Sequence, residues 1–160
     1  GRAVGDGRGM PYTIEQVQLA EQHAAVVRGR VPTEQIAGFL GEAFGEVMGA
    51  LGAQGLAPVG PPFGVYSPPS DEGFELMAGF PASGQAAATG RVVDWVMPGG
   101  AAVQTMHVGA YEGVAAAYHA IEAYLPEHGL APAGPPWESY LDEPGVAEPR
   151  TIVTWPVRPA

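Results

Sequence analysis

A chain of 160 residues with no cysteine, 46% apolar residues and a formal net charge of −10 has room for one domain, or for two small lobes that share a core. Disulfides and thiolate metal sites are excluded, and the seven scattered arginines, with no lysine, do not form the clustered basic face that direct nucleic-acid binding needs. No 18-residue apolar run and no charged-then-apolar leader occur, so the expectation is a cytoplasmic protein without a membrane span, whose acidic surplus mainly keeps it soluble.

Residues 1–11 are glycine-rich and without periodicity. They read as a disordered head or linker, with Met10 a candidate start, ahead of a ligand-binding domain at 12–160. Residues 12–30 alternate in pieces, through Ile14, Val17 and Leu19 and then 24–27, which gives two short strands or one long strand with an irregularity. Thr33, after Pro32, is placed to cap a helix whose apolar face is Ile36, Leu40, Phe44, Val47 and Leu51. Gly38, Gly41, Gly45 and Gly49 sit inside that helix at roughly 1 kcal/mol each against alanine. Packing must therefore hold it, and the glycines are expected to admit a sheet or partner helix at close range. Residues 63–67 form a strand, 68–73 a turn rich in proline, aspartate and glycine, and 74–80 the returning strand, stopped by Pro81.

The second half follows the same plan. Strands are expected at 92–97 and 101–108, then a helix with the face Val114, Tyr118, Ile121 and Leu125, then strands at 137–141 and 151–157. Residues 55–66 read GLAPVGPPFGVY and residues 129–140 read GLAPAGPPWESY, identical at eight of twelve positions at an offset of 74. The same offset carries the second helix face onto Leu40, Phe44, Val47 and Leu51, and Trp155-Pro156 echoes Phe80-Pro81. The halves are 12–82 and 91–157. An internal duplication of this kind predicts an α+β fold of two βαββ units with pseudo-twofold symmetry. Its sheets are antiparallel, its helices lie on one side, and a central ligand cleft separates the halves on the face away from the helices.

The repeat differs most tellingly at Gly64 against Glu138. Strand alternation puts Glu138 with Tyr140, and Gly64 with Tyr66, on one face; Trp137, Phe63 and Val65 take the other. The second set is the more apolar and suits the helix-covered core. Glu138, Tyr140, Tyr66 and the gap at Gly64 are then expected to line the cleft. A lone carboxylate among aromatic rings is costly unless paired or protonated. An organic cation held by charge and cation–π attraction would give it a use. The alternative is a solvated Glu138, or one paired with Arg91 or Arg150. Tyr111, at the start of the second helix, and Trp95, Met106, His107, Phe80 and Trp155 are further candidate walls. The aromatic residues among them serve equally well as core, and His107 as a satisfied structural histidine. The four histidines show no metal spacing, and neither GxSxG nor a phosphate loop occurs, so no metal and no cofactor is expected.

His107-x-Gly109-x-Tyr111, then Glu138-x-Tyr140-Leu141, then Glu143-Pro144, occur in that order. In this order they resemble the GyrI-like small-molecule-binding domains, which are also the effector-binding domains of AraC- and MerR-type multidrug-responsive regulators. The resemblance covers roughly residues 12–157. It implies the duplicated βαββ fold, a central cleft, and a carboxylate at Glu138 that meets lipophilic, often cationic, drug- or antibiotic-like molecules. It also implies a link to transcription regulation and antibiotic resistance. The DNA-binding segment of those regulators is not seen ahead of this domain, so a stand-alone form or an excised effector domain is expected. The resemblance keeps a second function open: hydrolysis of strained, cyclopropane-bearing electrophiles, with Glu138 as general acid or base and Tyr111 polarising the substrate. A protein partner is a third, to which no residue points.

Overall fold

The computed structural model describes residues 12–67 and 74–160; the head expected at 1–11 and the turn at 68–73 lie outside the described residues. Two separate strands, β1 (Glu15–Leu19) and β2 (Gln22–Val31), open the chain. Helix α1 (Ile36–Ala53), β3 (Phe63–Tyr66) and β4 (Phe74–Pro81) follow. The second half supplies β5 (Val92–Met97), β6 (Gly100–Val108), α2 (Ala115–Glu127), β7 (Leu130–Pro132), β8 (Trp137–Tyr140) and β9 (Arg150–Pro159). The short β7, which pairs with β9, has no counterpart among the sequence expectations.

The described strands form one antiparallel sheet in the order β1-β6-β9-β8-β3-β4-β2-β5. Read from its two ends, that order pairs β1 with β5, β6 with β2, β9 with β4 and β8 with β3. The fold is thus the duplicated α+β architecture, and its pseudo-twofold axis passes between β3 and β8. β1 hydrogen-bonds to β6 of the second half and β5 to β2 of the first, so each half lends its opening strand to the other.

The axis has one further consequence. Across β3 and β8 the register pairs Phe63 with Ser139, Gly64 with Glu138, and Val65 with Trp137. Only at Gly64 and Glu138 do two residues related by the 74-residue repeat face each other directly. Within the repeated block, the one position where the halves differ by a charge is the position on the axis.

Both helices cover the same face of the sheet. The deep stripe is Ala43, Val47 and Leu51 on α1 and Ala117, Ile121 and Leu125 on α2, all repeat-equivalent and buried. Small residues at 43 and 117 let the helices lie close to the strands. Val47, Leu51, Ile121 and Leu125 hold the positions expected of them, whereas Ile36, Leu40, Phe44, Val114 and Tyr118 flank the stripe and are only partly buried. Two expectations for α1 fail. Its approach is a 3-10 turn at Thr33–Gln35 behind Pro32, with no side-chain cap, so Thr33 does not cap it. Gly38, Gly41, Gly45 and Gly49 have open space where a Cβ would stand, so they admit no close neighbour. Thr33–Ala53 matches a membrane span by length and hydropathy, but it lays Phe39, Ala43, Val47 and Leu51 on the sheet and carries Glu34, Glu42 and Glu46.

The opposite face of the sheet needs no helix, because the sheet curls over it. Trp95 on β5 and Trp137 on β8 lie four strand steps apart, about 19 Å in a flat sheet. Their rings nevertheless meet edge to face at 6.4 Å. Phe63 and Trp95, three steps apart, lie 5.9 Å from each other. Ala24, Val26, Phe63, Val65 and Trp137 form the core inside that curl. This corrects the expectation about faces: Phe63, Val65 and Trp137 pack inside the curl, and the face carrying Glu138, Tyr140 and Tyr66 is the one beneath the helices. The cleft lies between α1 and α2, not on the side away from them.

Candidate functional site

Four polar side chains converge where the axis emerges between the helices. Glu138 is buried, 9% exposed, and both of its oxygens are engaged. The Tyr118 hydroxyl donates to Oε2 at 2.7 Å and the Tyr140 hydroxyl to Oε1 at 2.9 Å. The Tyr66 and Tyr140 hydroxyls are 2.6 Å apart. A phenol has one proton. Since Tyr140 gives its proton to Glu138, Tyr66 is the donor to Tyr140. Around the ionised carboxylate the protons therefore run from Tyr66 to Tyr140 to Glu138, with Tyr118 arriving from the other side.

Tyr66 and Tyr140 are themselves repeat-equivalent, and they meet because the axis runs between their strands. Gly64 makes that meeting possible. A Cβ there would stand 3.2 Å from Tyr66 Cε1 and 3.4 Å from Tyr140 Oη, tighter than ordinary contact. The space expected beside the charge is thus occupied by two phenol tips.

Burial pushes the Glu138 carboxyl above the usual range; the hydrogen bonds from Tyr118 and Tyr140 and the charge of His107 oppose that push. Burial, reinforced by the Glu138 charge, raises Tyr66, Tyr118 and Tyr140, so all three remain protonated donors. Among the described residues no arginine supplies the counter-charge. Arg91 pairs with Glu46 at 2.6 Å and Arg150 with Asp142 at 2.9 Å.

This cluster forms the floor of a cleft of about 980 Å³. Tyr118, Trp155, Val114 and Pro135 supply walls from the second half; Ile36, Tyr66 and Ser67 supply the opposite side. Glu112, His119 and Glu122 stand on the same lining, and among the described residues no lysine or arginine does. Trp155 meets Tyr118 edge to face at 5.9 Å and donates its indole N–H to the Gly134 carbonyl at 3.1 Å, which fixes its plane.

The remaining expected residues are placed as follows. Tyr111 stands edge-on to Tyr140 at 5.8 Å but is 42% exposed, and its hydroxyl is not the one on Glu138. Phe80 packs against Phe44 in the first-half core. Trp95 is inside the curl, on the other face. Met106 also faces away from the helices and borders a separate 310 Å³ hollow with Tyr12, Gln104 and Ile152. His107 lies off the cleft lining: its Nδ1 is 2.8 Å from the Tyr12 hydroxyl and its Nε2–H donates to the Ala110 carbonyl at 2.9 Å. Both ring nitrogens are satisfied, which is the structural role. Trp95, Met106 and His107 therefore do not wall this cleft.

Sequence reasoning missed Tyr118 as a site residue. The signal was present: its repeat partner is Phe44, and the pair differs by a single hydroxyl. The repeat aligns the two helix faces by their apolar phase, and within that phase Tyr118 reads as core like Phe44.

Comparison with known proteins gives a consistent picture. The family model for the GyrI-like small molecule binding domain matches residues 12–158. No curated protein sequence matches the chain. Among solved structures, the chain resembles EcmrR in its complex with DNA, with a TM-score of 0.77 and 24% identity over 96% of this chain. It spans 60% of that protein's length. A hydrolase from Listeria innocua gives a TM-score of 0.66 at 17% identity, covering 94% of each chain. SAV2435 bound to tetraphenylphosphonium gives 0.60 at 16% identity, covering 93% of this chain and 94% of that one. At these identities the solved structures share the fold.

Proposed function

This chain belongs to the family of GyrI-like small-molecule-binding domains, and from that footing we propose that its ligands are lipophilic, often cationic, aromatic molecules of drug or antibiotic type. They are held in the cytoplasm, in the cleft between α1 and α2, with Glu138 as the charge that selects them. The carrying observation is a buried carboxylate at the floor of an aromatic cleft, hydrogen-bonded by two phenols, one of them backed by a third, and paired with no arginine among the described residues. An ionised carboxylate held this way is an incomplete ion pair. A cation against it gains Coulomb energy at low effective dielectric, plus the faces of Tyr118 and Trp155. That SAV2435 is bound to tetraphenylphosphonium supports the choice of ligand class, and the likeness to EcmrR supports a role as the effector-sensing part of a regulator. The acidic surface and scattered arginines leave direct nucleic-acid contact to some other element.

The test is fluorescence titration of a cationic dye and a neutral dye of similar size against the protein and Glu138→Gln. The cationic dye is expected to lose about 10- to 100-fold in affinity and the neutral dye far less. Equal loss for both would remove Glu138 from the charge role.

The second reading, hydrolysis of a strained cyclopropane-bearing electrophile, draws on the same cluster and on the likeness to a Listeria hydrolase. Glu138, with its raised proton affinity, would take a proton from the attacking water. As the oxygen–carbon bond forms, the ring carbon–carbon bond breaks, and its electron pair passes to the substrate's conjugated oxygen. A tyrosine hydroxyl polarises that oxygen, and Glu138 returns the proton to the opened product. Tyr118 is better placed for this partnership than Tyr111. Formation of a product heavier by one water, abolished in Glu138→Gln, would support this reading; stoichiometric binding with no product would exclude it.

A further inference from the structure

Two of the three phenols near Glu138 make a one-way proton chain with it, and the chain's last member, Tyr66, lines the cleft. With Glu138 ionised, Tyr140 donates to Oε1 and Tyr66 must donate to Tyr140, so Tyr66 shows the cleft only lone pairs. With Glu138 protonated, the order reverses. Tyr118 already donates to Oε2, so the carboxyl proton on Oε1 goes to the Tyr140 oxygen at 2.9 Å. The Tyr140 proton then turns to the Tyr66 oxygen at 2.6 Å. Tyr66, no longer needed as a donor, is left with a free O–H and one open direction, the cleft.

We propose that Tyr66 is the specificity-determining residue of this site: its hydroxyl accepts toward the cleft when Glu138 is charged and donates when Glu138 is neutral, so the cleft takes two ligand classes. Cations bind the ionised form and expel a proton from whatever fraction of Glu138 is neutral. Neutral molecules with a strong hydrogen-bond acceptor, such as a phosphoryl, carbonyl or sulfoxide oxygen, bind the protonated form through Tyr66. The inference rests on the assignment of the cleft to small molecules with Glu138 as its charge. It adds that the same cleft inverts its polarity by passing one proton change along two tyrosines.

The groups that bear on Glu138 from the packed elements are Tyr118 on α2, Tyr140 on β8, Tyr66 on β3 and His107 on β6; Glu112, His119 and Glu122 stand further along the cleft lining. Val153, its partner on β9, is apolar. Burial raises Glu138, which keeps its protonated form accessible above the ordinary carboxylate range.

The experiment uses two probes of similar bulk, tetraphenylphosphonium and triphenylphosphine oxide, titrated by calorimetry from pH 5 to pH 8. As pH falls, affinity for the phosphonium should fall and affinity for the oxide should rise, about one midpoint. In two buffers of different ionisation enthalpy, the phosphonium should release protons and the oxide take them up. Tyr66→Phe should lower the oxide-to-phosphonium selectivity about tenfold, the worth of one neutral hydrogen bond. Glu138→Gln carries a donor where the protonated acid does; it should keep the oxide and lose the phosphonium at every pH. The ring is retained in Tyr66→Phe, and thermal melting checks that the variant is folded. If both probes shift with pH in the same direction, or if folded Tyr66→Phe leaves the selectivity unchanged, the role of Tyr66 is overturned while that of Glu138 stands. If the phosphonium binds the parent and Glu138→Gln equally, the underlying assignment of the charge falls first.

Discussion

The same corner of the molecule is built twice with opposite character. In the first half, Phe44 on α1 meets Phe80 on β4 edge to face at 5.7 Å and leans on Tyr140 at 6.4 Å, while Gly64 offers no side chain. In the second half, Tyr118 on α2 meets Trp155 on β9 edge to face at 5.9 Å, and its additional hydroxyl reaches Glu138 at 2.7 Å. Phe44 and Tyr118 are repeat partners, as are Gly64 and Glu138; Phe80 on β4 and Trp155 on β9 each precede a proline in the corresponding strands. One half seals its corner with hydrocarbon. The other adds a hydroxyl and a carboxylate that satisfy each other, and opens the corner as a cleft. Chemistry in this fold arises where the duplication is broken, and the two polar changes form one unit because neither is tolerable when buried alone.

Restoring the symmetry should do the most damage. Gly64→Glu places a second carboxylate opposite the first on the axis, where even a methyl group crowds Tyr66 and Tyr140. Two buried like charges cannot both ionise, so a loss of about 3 kcal/mol or more is expected at neutral pH. Urea denaturation should show part of it recovered at pH 5, where one of the pair takes a proton. Stability equal to the parent at neutral pH would mean that the axis is not the confined position described.

Removing the charge works in the other direction. The folded protein raises the Glu138 carboxyl above its unfolded value, so between those values the folded state holds more protons than the unfolded one. Stability then falls as pH rises through that window, because the slope follows the protons bound unfolded minus those bound folded. Glu138→Gln is neutral throughout and should be the more stable protein at pH 7, by about 1 kcal/mol, or several degrees in melting temperature. The gain should vanish at the acid end. A variant less stable than the parent at pH 7 would show that the phenol network more than offsets the burial of the charge.

Tyr118→Phe makes the second half imitate the first without disturbing shape, since Phe44 shows that the corner accepts a phenyl ring. Its hydroxyl is the leading influence holding Glu138 down against burial. Without it the carboxyl rises further, and at neutral pH a smaller fraction is charged. Affinity for tetraphenylphosphonium should fall about 3- to 10-fold, in line with one charge-assisted hydrogen bond, and the pH midpoint of cation binding should move up. A uniform loss of affinity with no movement of the midpoint would reduce Tyr118 to a packing role.

Much of this was legible in the chain. The offset of 74 residues, the phase shared by the two helices and strand parity together placed Glu138, Tyr140 and Tyr66 on one face. They also marked Gly64 as the odd member. What parity cannot state is which face a helix covers. The apolar set at Phe63, Val65 and Trp137 looked like the helix-facing side. In fact curling of the long sheet brings Trp95 against Trp137 and buries that face without any helix. The exchange of β1 and β5 between halves was hidden for a related reason: pairing across 65 or more residues leaves no local trace in the sequence. His107 and Trp95 show the converse limit. Their residue types suit a pocket, and only the placement of neighbours assigns one to Tyr12 and Ala110 and the other to the inner core.

The helices carry the mildest version of the contrast. α1 has Gly38, Gly41, Gly45, Gly49 and Gly52, none with a neighbour within 4 Å of where a Cβ would stand, whereas α2 has alanines at 115, 116, 117, 120 and 123 and no glycine between its ends. The deep stripe of both is nevertheless the same, so the glycines do not serve contact with the sheet. Gly45→Ala, on the exposed side of α1, should stabilise the protein by about 0.5–1 kcal/mol, since alanine reduces the freedom of the unfolded chain and meets nothing in the fold. α1 also brings Ile36 to the wall of the cleft. If its glycines serve only as a cost, the melting temperature rises and phosphonium affinity is unchanged. If looseness of α1 is what lets the cleft accept bulky ligands, the stabilised variant should bind tetraphenylphosphonium more weakly than it binds a smaller tetraalkylammonium cation, relative to the parent. That separates a helix that merely tolerates its glycines from one that uses them.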